Sequence, residues 1–217
     1  MAKSDVWPAI HAERTALAAD LDGLGEDAWA TQSLCAEWTV RDVLAHMTGT
    51  AKLTTATFFP KLIGCGLSLG RLQAKAITEE RGASPADTLA RFKQEVDSTT
   101  GPPGPSDTML GETVVHAEDI RRPLGMKHPY PVDEVVRVAD FYKNSNLVMG
   151  SKRRIAGLSL EATDTDWHHG SGPTVSGPML SLLLAMTGRK AALADLSGDG
   201  VATLQTGALV SGVFRGR

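Results

Sequence analysis

The stretch 111-GETVVHAEDIRRPLG-125 has the pattern of a helix that stops before a proline. Proline lacks a backbone N–H, and the residue before it avoids helical backbone angles. Glu112 and His116 are four residues apart, so a helix places them one turn apart on the same face, with Asp119 near the same line. We therefore predict a helix over 106–122 that presents a carboxylate and an imidazole side by side.

Three further amphipathic helices are predicted before this one. The first begins near Asp5, where apolar residues recur at spacings of three, four and seven. The second begins at Val40, after a capping-box pattern, and the third follows Ser84 with a proline in its first turn. Four amphipathic helices in the first 125 residues indicate a helical bundle. The segment 61-KLIGCGLSLG-70 fits either a helix extension or a long connection.

One more helix is predicted over 131–144, and the residues after it have a different pattern. Apolar and polar residues alternate in 157-GLSLEAT-163 and in 201-VATLQ-205, as on half-buried strands. Between them, an apolar segment over 178–187 begins at a proline and is followed by a glycine, which is typical of a short helix. This part of the chain is therefore predicted to be a small α/β unit.

Length and composition fit a protein of two domains with a real hydrophobic core. The chain has 217 residues, of which 42% are hydrophobic and 22% charged. We predict an α+β fold with a helical bundle over residues 1–150 and a small α/β domain over residues 151–217. The formal net charge of −3 and the scattered basic residues argue against a nucleic-acid partner.

The sequence also bears on location and on the cysteines. No apolar run approaches the roughly 18 residues that span a bilayer, and the first ten residues lack the regions of a signal peptide. We therefore expect a cytoplasmic protein with no membrane partner. Cys35 and Cys65 do not form a CxxC motif, so both are expected to be free thiols, with Cys35 a buried structural one.

A third candidate ligand lies on the second helix. His46 follows Val43 by three residues, at the edge of the apolar stripe, so it faces the interior of the bundle or its rim. If the second and fourth bundle helices are neighbours, His46 meets Glu112 and His116. Two imidazoles and one carboxylate suit a divalent metal with open positions, such as zinc, ferrous iron or nickel. On spacing alone, an ordinary helical Glu–His pair is the commoner alternative.

Four motifs occur in this order along the chain: 33-SLCAEWTVRDVLAHM-47, 111-GETVVHAEDIRRPLG-125, 163-TDTDWHHGSGPTVSGPMLSLLLAMTGR-189 and 196-LSGDGVATL-204. They resemble signatures of the mycothiol-dependent maleylpyruvate isomerase family in the DinB-like superfamily. The resemblance implies a DinB-like bundle joined to a small C-terminal α/β domain. It also implies a metal, usually zinc, held by His46, Glu112 and His116. Glu37 departs from the family, which often has glycine before the tryptophan.

The resemblance further implies thiol chemistry. A metal with an open position can bind the sulfur of mycothiol and hold it as a thiolate at neutral pH. In an isomerase the thiolate would add to the double bond of maleylpyruvate, permit rotation and leave, whereas in an S-transferase it would stay on the electrophile. We therefore predict a metal- and mycothiol-dependent isomerase or S-transferase. Its partners would be the small-molecule thiol and an electrophilic substrate, and it would be a monomer or homodimer.

Two alternatives remain open at this stage. One is a non-catalytic binding or regulatory module that the metal stabilises, and the other is a hydrolase that uses metal-bound water. Consumption of thiol with a panel of electrophiles would separate the enzyme from the module. A hydrolase would act without added thiol.

Other residues have two interpretations each. Arg189 is a candidate catalytic residue that holds a carboxylate of cofactor or substrate, but a basic residue near a helix end also offsets the helix dipole. Asp119 could accept a hydrogen bond from a ligating histidine or pair with a nearby arginine. Trp38 and Trp167 are interpreted as packing residues. His168 and His169 lie in a segment rich in glycine and proline, where a surface turn is expected.

Overall fold

The computed structural model describes residues 5–147 and 149–207. They divide into two compact units, one up to His128 and one from Pro129 onward. The first unit is helical, and the second adds a three-stranded sheet to its helices. No helix in the described part of the chain is both long enough and apolar enough to cross a membrane. The predicted cytoplasmic location stays a prediction.

The first unit consists of helices joined by short loops. Their bounds are α1 Trp7–Asp20, α2 Glu26–Trp29, α3 Val40–Ala51, α4 Thr55–Gly64, α5 Leu69–Glu80, α6 Pro85–Gln94 and α7 Asp107–Arg121. The four predicted helices correspond to α1, α3, α6 and α7. The segment over 61–70, which the sequence left open, holds the end of α4, a turn and the start of α5.

Helices α1, α3, α6 and α7 share one hydrophobic core, so the predicted bundle is confirmed. Each contributes side chains that are fully withdrawn from solvent, because each has an apolar stripe at helical spacing. Helix α5 packs along α3 at Gly49, where an added Cβ would lie 3.0 Å from Ala76 Cβ. A larger residue would push the two helices apart. The core includes Leu17, Val43, Leu44, Phe92 and Ile120.

The predicted start of α3 is confirmed in detail. The Thr39 hydroxyl accepts a hydrogen bond from the Asp42 backbone, and the Asp42 carboxylate accepts one from the Thr39 backbone. This capping box satisfies two amides that the first turn of a helix leaves without partners. It fixes where α3 begins, and therefore which residues of α3 face α7.

The second unit combines a small sheet with short helices. Strand β1 lies in the centre, antiparallel to β2 and parallel to β3. The strand predicted over 157–163 is confirmed as β1, and the helices predicted over 131–144 and 178–187 are confirmed as α8 and α10. The elements are α8 Val132–Tyr142, α9 Ser151–Arg154, β1 Ser159–Ala162, β2 His168–Gly170, β3 Thr174–Gly177, α10 Met179–Met186, a 3-10 helix Lys190–Asp195 and α11 Val201–Gly207.

The strand predicted over 201–205 is wrong, because these residues begin α11. The Ser197 backbone hydrogen-bonds to that of Ser176 at the edge of β3. Gly198 then has a positive φ of 105°, which turns the chain away from the sheet. Val201 and Leu204 lie three residues apart and are the more protected side chains, as on a helix. A segment of five residues is too short to distinguish the alternation of a strand from the periodicity of a helix.

Two further differences concern this unit. His168 and His169 form the edge strand β2, where a surface turn was expected, and His169 pairs with Leu160. The division between the units lies at His128, earlier than the predicted domain boundary at 150, because α8 packs on α10. The helix predicted over 131–144 thus belongs with the sheet.

The caps allow a matched test of stability. Ser84 accepts a hydrogen bond from the Asp87 backbone at the start of α6, whereas Ser106 at the start of α7 makes no side-chain cap bond. We expect Ser84→Ala to lower the free energy of unfolding by about 1 kcal/mol. Ser106→Ala, the control, should change it far less. Urea unfolding of the two variants beside the unchanged protein measures the difference, and equal effects would contradict this view of the caps.

Candidate metal centre

Helices α3 and α7 bring the three predicted ligands together. His46 comes from α3, and Glu112 and His116 come from α7. The two histidines are 7% and 5% exposed. The helices are neighbours because the apolar residues beside these side chains share the bundle core, Val43 and Leu44 from one and Ala117 from the other.

The spacing of the donor atoms suits a metal ion. One ligand atom from each of His46, Glu112 and His116 lies within 4.8 Å of the other two. His46 Nε2 is 3.7 Å from Glu112 Oε1. Zinc holds nitrogen and oxygen ligands at about 2.0–2.2 Å, which puts neighbouring tetrahedral ligands about 3.4 Å apart. The His46–Glu112 distance is close to this value, and the other donor pairs lie within 4.8 Å.

Glu112 provides the test of whether a cation fits here. Its side chain is 12% exposed. Burial raises the pKa of the carboxyl, and His116, Arg14 and a hydrogen bond with Thr50 partly offset this. Among the described residues, none makes a hydrogen bond to the buried Oε1 atom. A buried carboxylate oxygen with no donor is costly, and a cation beside it would remove that cost. The donor set and the unpartnered oxygen therefore fit a divalent metal.

Asp119 orients one of the ligands. Its carboxylate Oδ2 lies 2.8 Å from His116 Nδ1, and the Asp119 side chain is fully buried. Because Nδ1 makes this hydrogen bond, Nε2 is the imidazole nitrogen that can bind a metal. Arg121 lies 2.7 Å from Asp20, and Arg122 lies 2.9 Å from Glu118. The structure therefore contains the hydrogen-bond contact with His116 that the first interpretation of Asp119 expects.

The charge of His116 follows from these neighbours. Burial lowers its pKa, but hydrogen bonds to Asp119 and Cys35 outweigh that effect and raise the pKa to about 10. Without a metal the imidazole is therefore a cation at neutral pH. A metal ion takes the place of its Nε2 proton, since both need the same lone pair.

Cys35 lies closer to the centre than the sequence indicated. Its Sγ is 3.1 Å from Asp119 Oδ2, and the residue is half-buried. The loop before α3 folds against α7 because the Leu34 amide donates to the Asp119 carbonyl at 3.2 Å. Cys35, His116 and Asp119 also form a group that could hold a metal. These three already hydrogen-bond one another, whereas Glu112 Oε1 has no such partner, so we favour the His46, Glu112 and His116 group.

Trp38 forms one wall of the centre. The centroid of its ring lies 4.8 Å from that of His46 and 6.2 Å from that of His116. The expected packing role is accurate, but the packing is against the candidate ligands. A tryptophan beside them keeps water from that side and strengthens electrostatic interactions in the site. Thr50, the hydrogen-bond partner of Glu112, had no signal in the sequence.

Arg189 lies in the second unit, after the end of α10. The side chain is 8% exposed, and its guanidinium donates to the Thr187 carbonyl at 3.0 Å and lies 3.7 Å from Met149 Sδ. These contacts fit the end of a helix. The catalytic role of Arg189 stays a prediction.

Comparison with known proteins gives independent information on the fold. Residues 10–103 match the family described as the mycothiol maleylpyruvate isomerase N-terminal domain. This match covers His46 and ends before Glu112 and His116. A search of curated proteins found no significant match.

Two solved structures resemble the chain. One is a crystal structure of the mycothiol-dependent maleylpyruvate isomerase, with a TM-score of 0.64, and the other is a histidine-to-alanine mutant of it, with a TM-score of 0.61. Each is 14% identical, and the alignment covers 89% of this chain and 91% of the other. At this identity the likeness concerns the fold, and it confirms the predicted α+β architecture with a DinB-like bundle.

Replacement of Asp119 tests its contact with His116. Asp119→Asn keeps the shape but removes the charge that orients the imidazole, so we expect affinity for zinc to fall by about 10- to 100-fold. Competition with a chromogenic chelator measures this. Glu118→Gln is the control, because Glu118 is also buried and charged but contacts Arg122. Equal losses in the two variants would contradict the role of Asp119.

Proposed function

We propose that this protein is a metal-dependent enzyme that uses a low-molecular-weight thiol, because residues 10–103 match the family model of the mycothiol maleylpyruvate isomerase N-terminal domain. The metal is zinc or another divalent ion, and its ligands are His46, Glu112 and His116. The thiol is mycothiol, and the substrate is a small electrophile of the maleylpyruvate kind. The single observation that carries this proposal is the convergence of the three donors around Glu112 Oε1.

The metal would supply one kind of chemistry. A bound divalent cation with an open position would stabilise the anion of a thiol, and so provide a nucleophile at neutral pH. The same nucleophile serves both candidate reactions. In isomerisation it adds to the activated double bond and leaves after rotation, and in S-transfer the carbon–sulfur bond remains.

The protein's own residues prepare this site. Asp119 fixes the His116 ring through Nδ1. Trp38 covers the two imidazoles on one side, which keeps water away and favours attack by sulfur over attack by water. Thr50 holds one part of the Glu112 carboxyl while Oε1 stays available. Arg189 remains a proposed holder of a carboxylate.

The test is isomerisation of maleylpyruvate by zinc-loaded protein. We expect the trans isomer to form only when mycothiol and metal are both present. Chromatography of the reaction mixture measures its formation. Glu112→Gln should reduce the rate to background, because a neutral amide is a poor ligand for a divalent cation. Glu118→Gln, which lies on the same helix but contacts Arg122, should keep the rate of the unchanged protein.

A second assay separates the two reactions from the alternatives. If no isomerisation occurs, a panel of electrophiles with mycothiol shows whether the thiol is consumed, as S-transfer requires. Turnover without any thiol would contradict the proposal in favour of hydrolysis by metal-bound water. No metal-dependent thiol consumption with any electrophile would contradict it in favour of a binding module.

A further inference from the structure

Arg14 on α1 is a buried cation with an unused donor. The residue is 1% exposed. Its Nη1 donates to the Ser98 carbonyl at 3.0 Å and to the Glu95 carbonyl at 3.2 Å. Among residues 5–147 and 149–207, none accepts a hydrogen bond from the buried Nη2. Buried polar atoms nearly always have partners, so an unpartnered guanidinium nitrogen requires an explanation.

Hydrogen bonds place Arg14 close to the candidate metal centre. Ser98, which accepts from Arg14, donates its own hydroxyl to the Ala51 carbonyl at 2.9 Å. The residue before Ala51 is Thr50, the hydrogen-bond partner of Glu112. Arg14 and Glu112 are also close enough for each to shift the pKa of the other towards its charged form, although burial is the larger influence on both.

The two side chains nevertheless do not pair directly. Within the described part of the chain, no ion pair joins Arg14 to Glu112, and each keeps one buried atom without a hydrogen-bond partner. Arg14 on α1 thus has an unused donor, Nη2, and Glu112 on α7 has an oxygen, Oε1, that accepts no hydrogen bond. A ligand that reaches both residues would meet the metal proposed at Glu112 and the guanidinium of Arg14.

The charges indicate what kind of ligand that is. Glu112 and Asp119 carry negative charges that offset those of a divalent ion. Arg14 adds a further positive charge, which burial disfavours and the carboxylates of Glu112 and Glu95 favour. A planar guanidinium with a free N–H suits a carboxylate oxygen well, since a hydrogen bond between two opposite charges is stronger than one between neutral groups.

We propose that Arg14 is a substrate-binding residue, whose Nη2 donates a hydrogen bond to a carboxylate of the electrophile that reacts at the centre of His46, Glu112 and His116. This inference rests on the proposed function and adds a specificity determinant to it. The electrophile carries a carboxylate near its reactive carbon, and that carboxylate is oriented towards α1. Uncharged electrophiles of equal reactivity are disfavoured.

Arg41 is a matched control within the same bundle. Its guanidinium donates to the Thr88 hydroxyl at 2.9 Å and to the carbonyls of Arg81 and Gly82 at 2.9 and 3.1 Å. Arg41 thus contacts residues near the start of α6, whereas Arg14 contacts residues near its end. Both guanidiniums donate to backbone carbonyls. Arg41→Gln removes the same charge and similar carbonyl contacts without altering the candidate metal centre.

The experiment measures binding of maleate to zinc-loaded protein by calorimetry, with dimethyl maleate as the uncharged comparison. The unchanged protein should bind maleate and prefer it to the ester. Arg14→Gln should weaken maleate binding by about thirtyfold or more, since truncation of one partner of a buried charge pair is costly. Arg14→Lys, which keeps the charge, should lose less, and Arg41→Gln should bind as the unchanged protein does.

Two results would overturn the inference. One is equal maleate affinity in Arg14→Gln and the unchanged protein, and the other is no preference for maleate over its ester in the unchanged protein. The second comparison needs no variant, so it holds even if Arg14→Gln does not fold. A further possible result is maleate binding that depends on Arg14 in a protein that does not turn over maleylpyruvate with mycothiol. That result would support carboxylate binding by Arg14 and contradict the proposed function. Turnover with an unchanged KM in Arg14→Gln would contradict Arg14 alone.

Discussion

The carboxylate of Glu112 is the constraint on which the candidate centre depends. The side chain points into a bundle core, where burial disfavours its charge, and Oε1 receives no hydrogen bond from the described residues. Such a group is stable as an anion only beside positive charge. The surrounding residues supply two imidazoles close to that oxygen, and this donor set suits the divalent metal that we propose. The packing of α3 against α7 serves to create this environment.

Each neighbouring residue has a separate effect on the centre. Asp119 contacts His116 Nδ1, Trp38 packs against His46, and Thr50 hydrogen-bonds the Glu112 carboxyl from α3. Cys35 contacts Asp119, so the loop before α3 is connected to the ligands as well as to the core. Arg14 adds positive charge from α1. Residues from α3, its preceding loop and α7 thus surround the three candidate ligands, and Arg14 on α1 favours the charged form of Glu112.

Part of this arrangement could be predicted from the sequence because it depends on local rules. The capping pair at Thr39 sets where α3 begins, and the four-residue spacing of Glu112 and His116 sets their common face. The contribution of His46 followed from its position beside an apolar stripe and from the family resemblance. The positions of Trp38 and Cys35 could not be derived, because a loop without periodicity positions them.

The errors have similar physical causes. Residues 201–205 alternate like a strand, but a positive φ at Gly198 turns the chain into a helix first. The sequence analysis did not identify Arg14, because its contacts with the Ser98 and Glu95 carbonyls join residues far apart in the chain. Local patterns therefore predicted the helices and the common face of two candidate ligands, while contacts distant in sequence determine the environment of these residues.

The most direct test of the account is elemental analysis of the protein, purified without an affinity tag, beside its His116→Ala variant. The account predicts near-stoichiometric zinc or another divalent metal in the unchanged protein and its loss in the variant. If the unchanged protein contains no metal and takes up no added zinc, His46, Glu112 and His116 are not a metal centre, and the account is wrong.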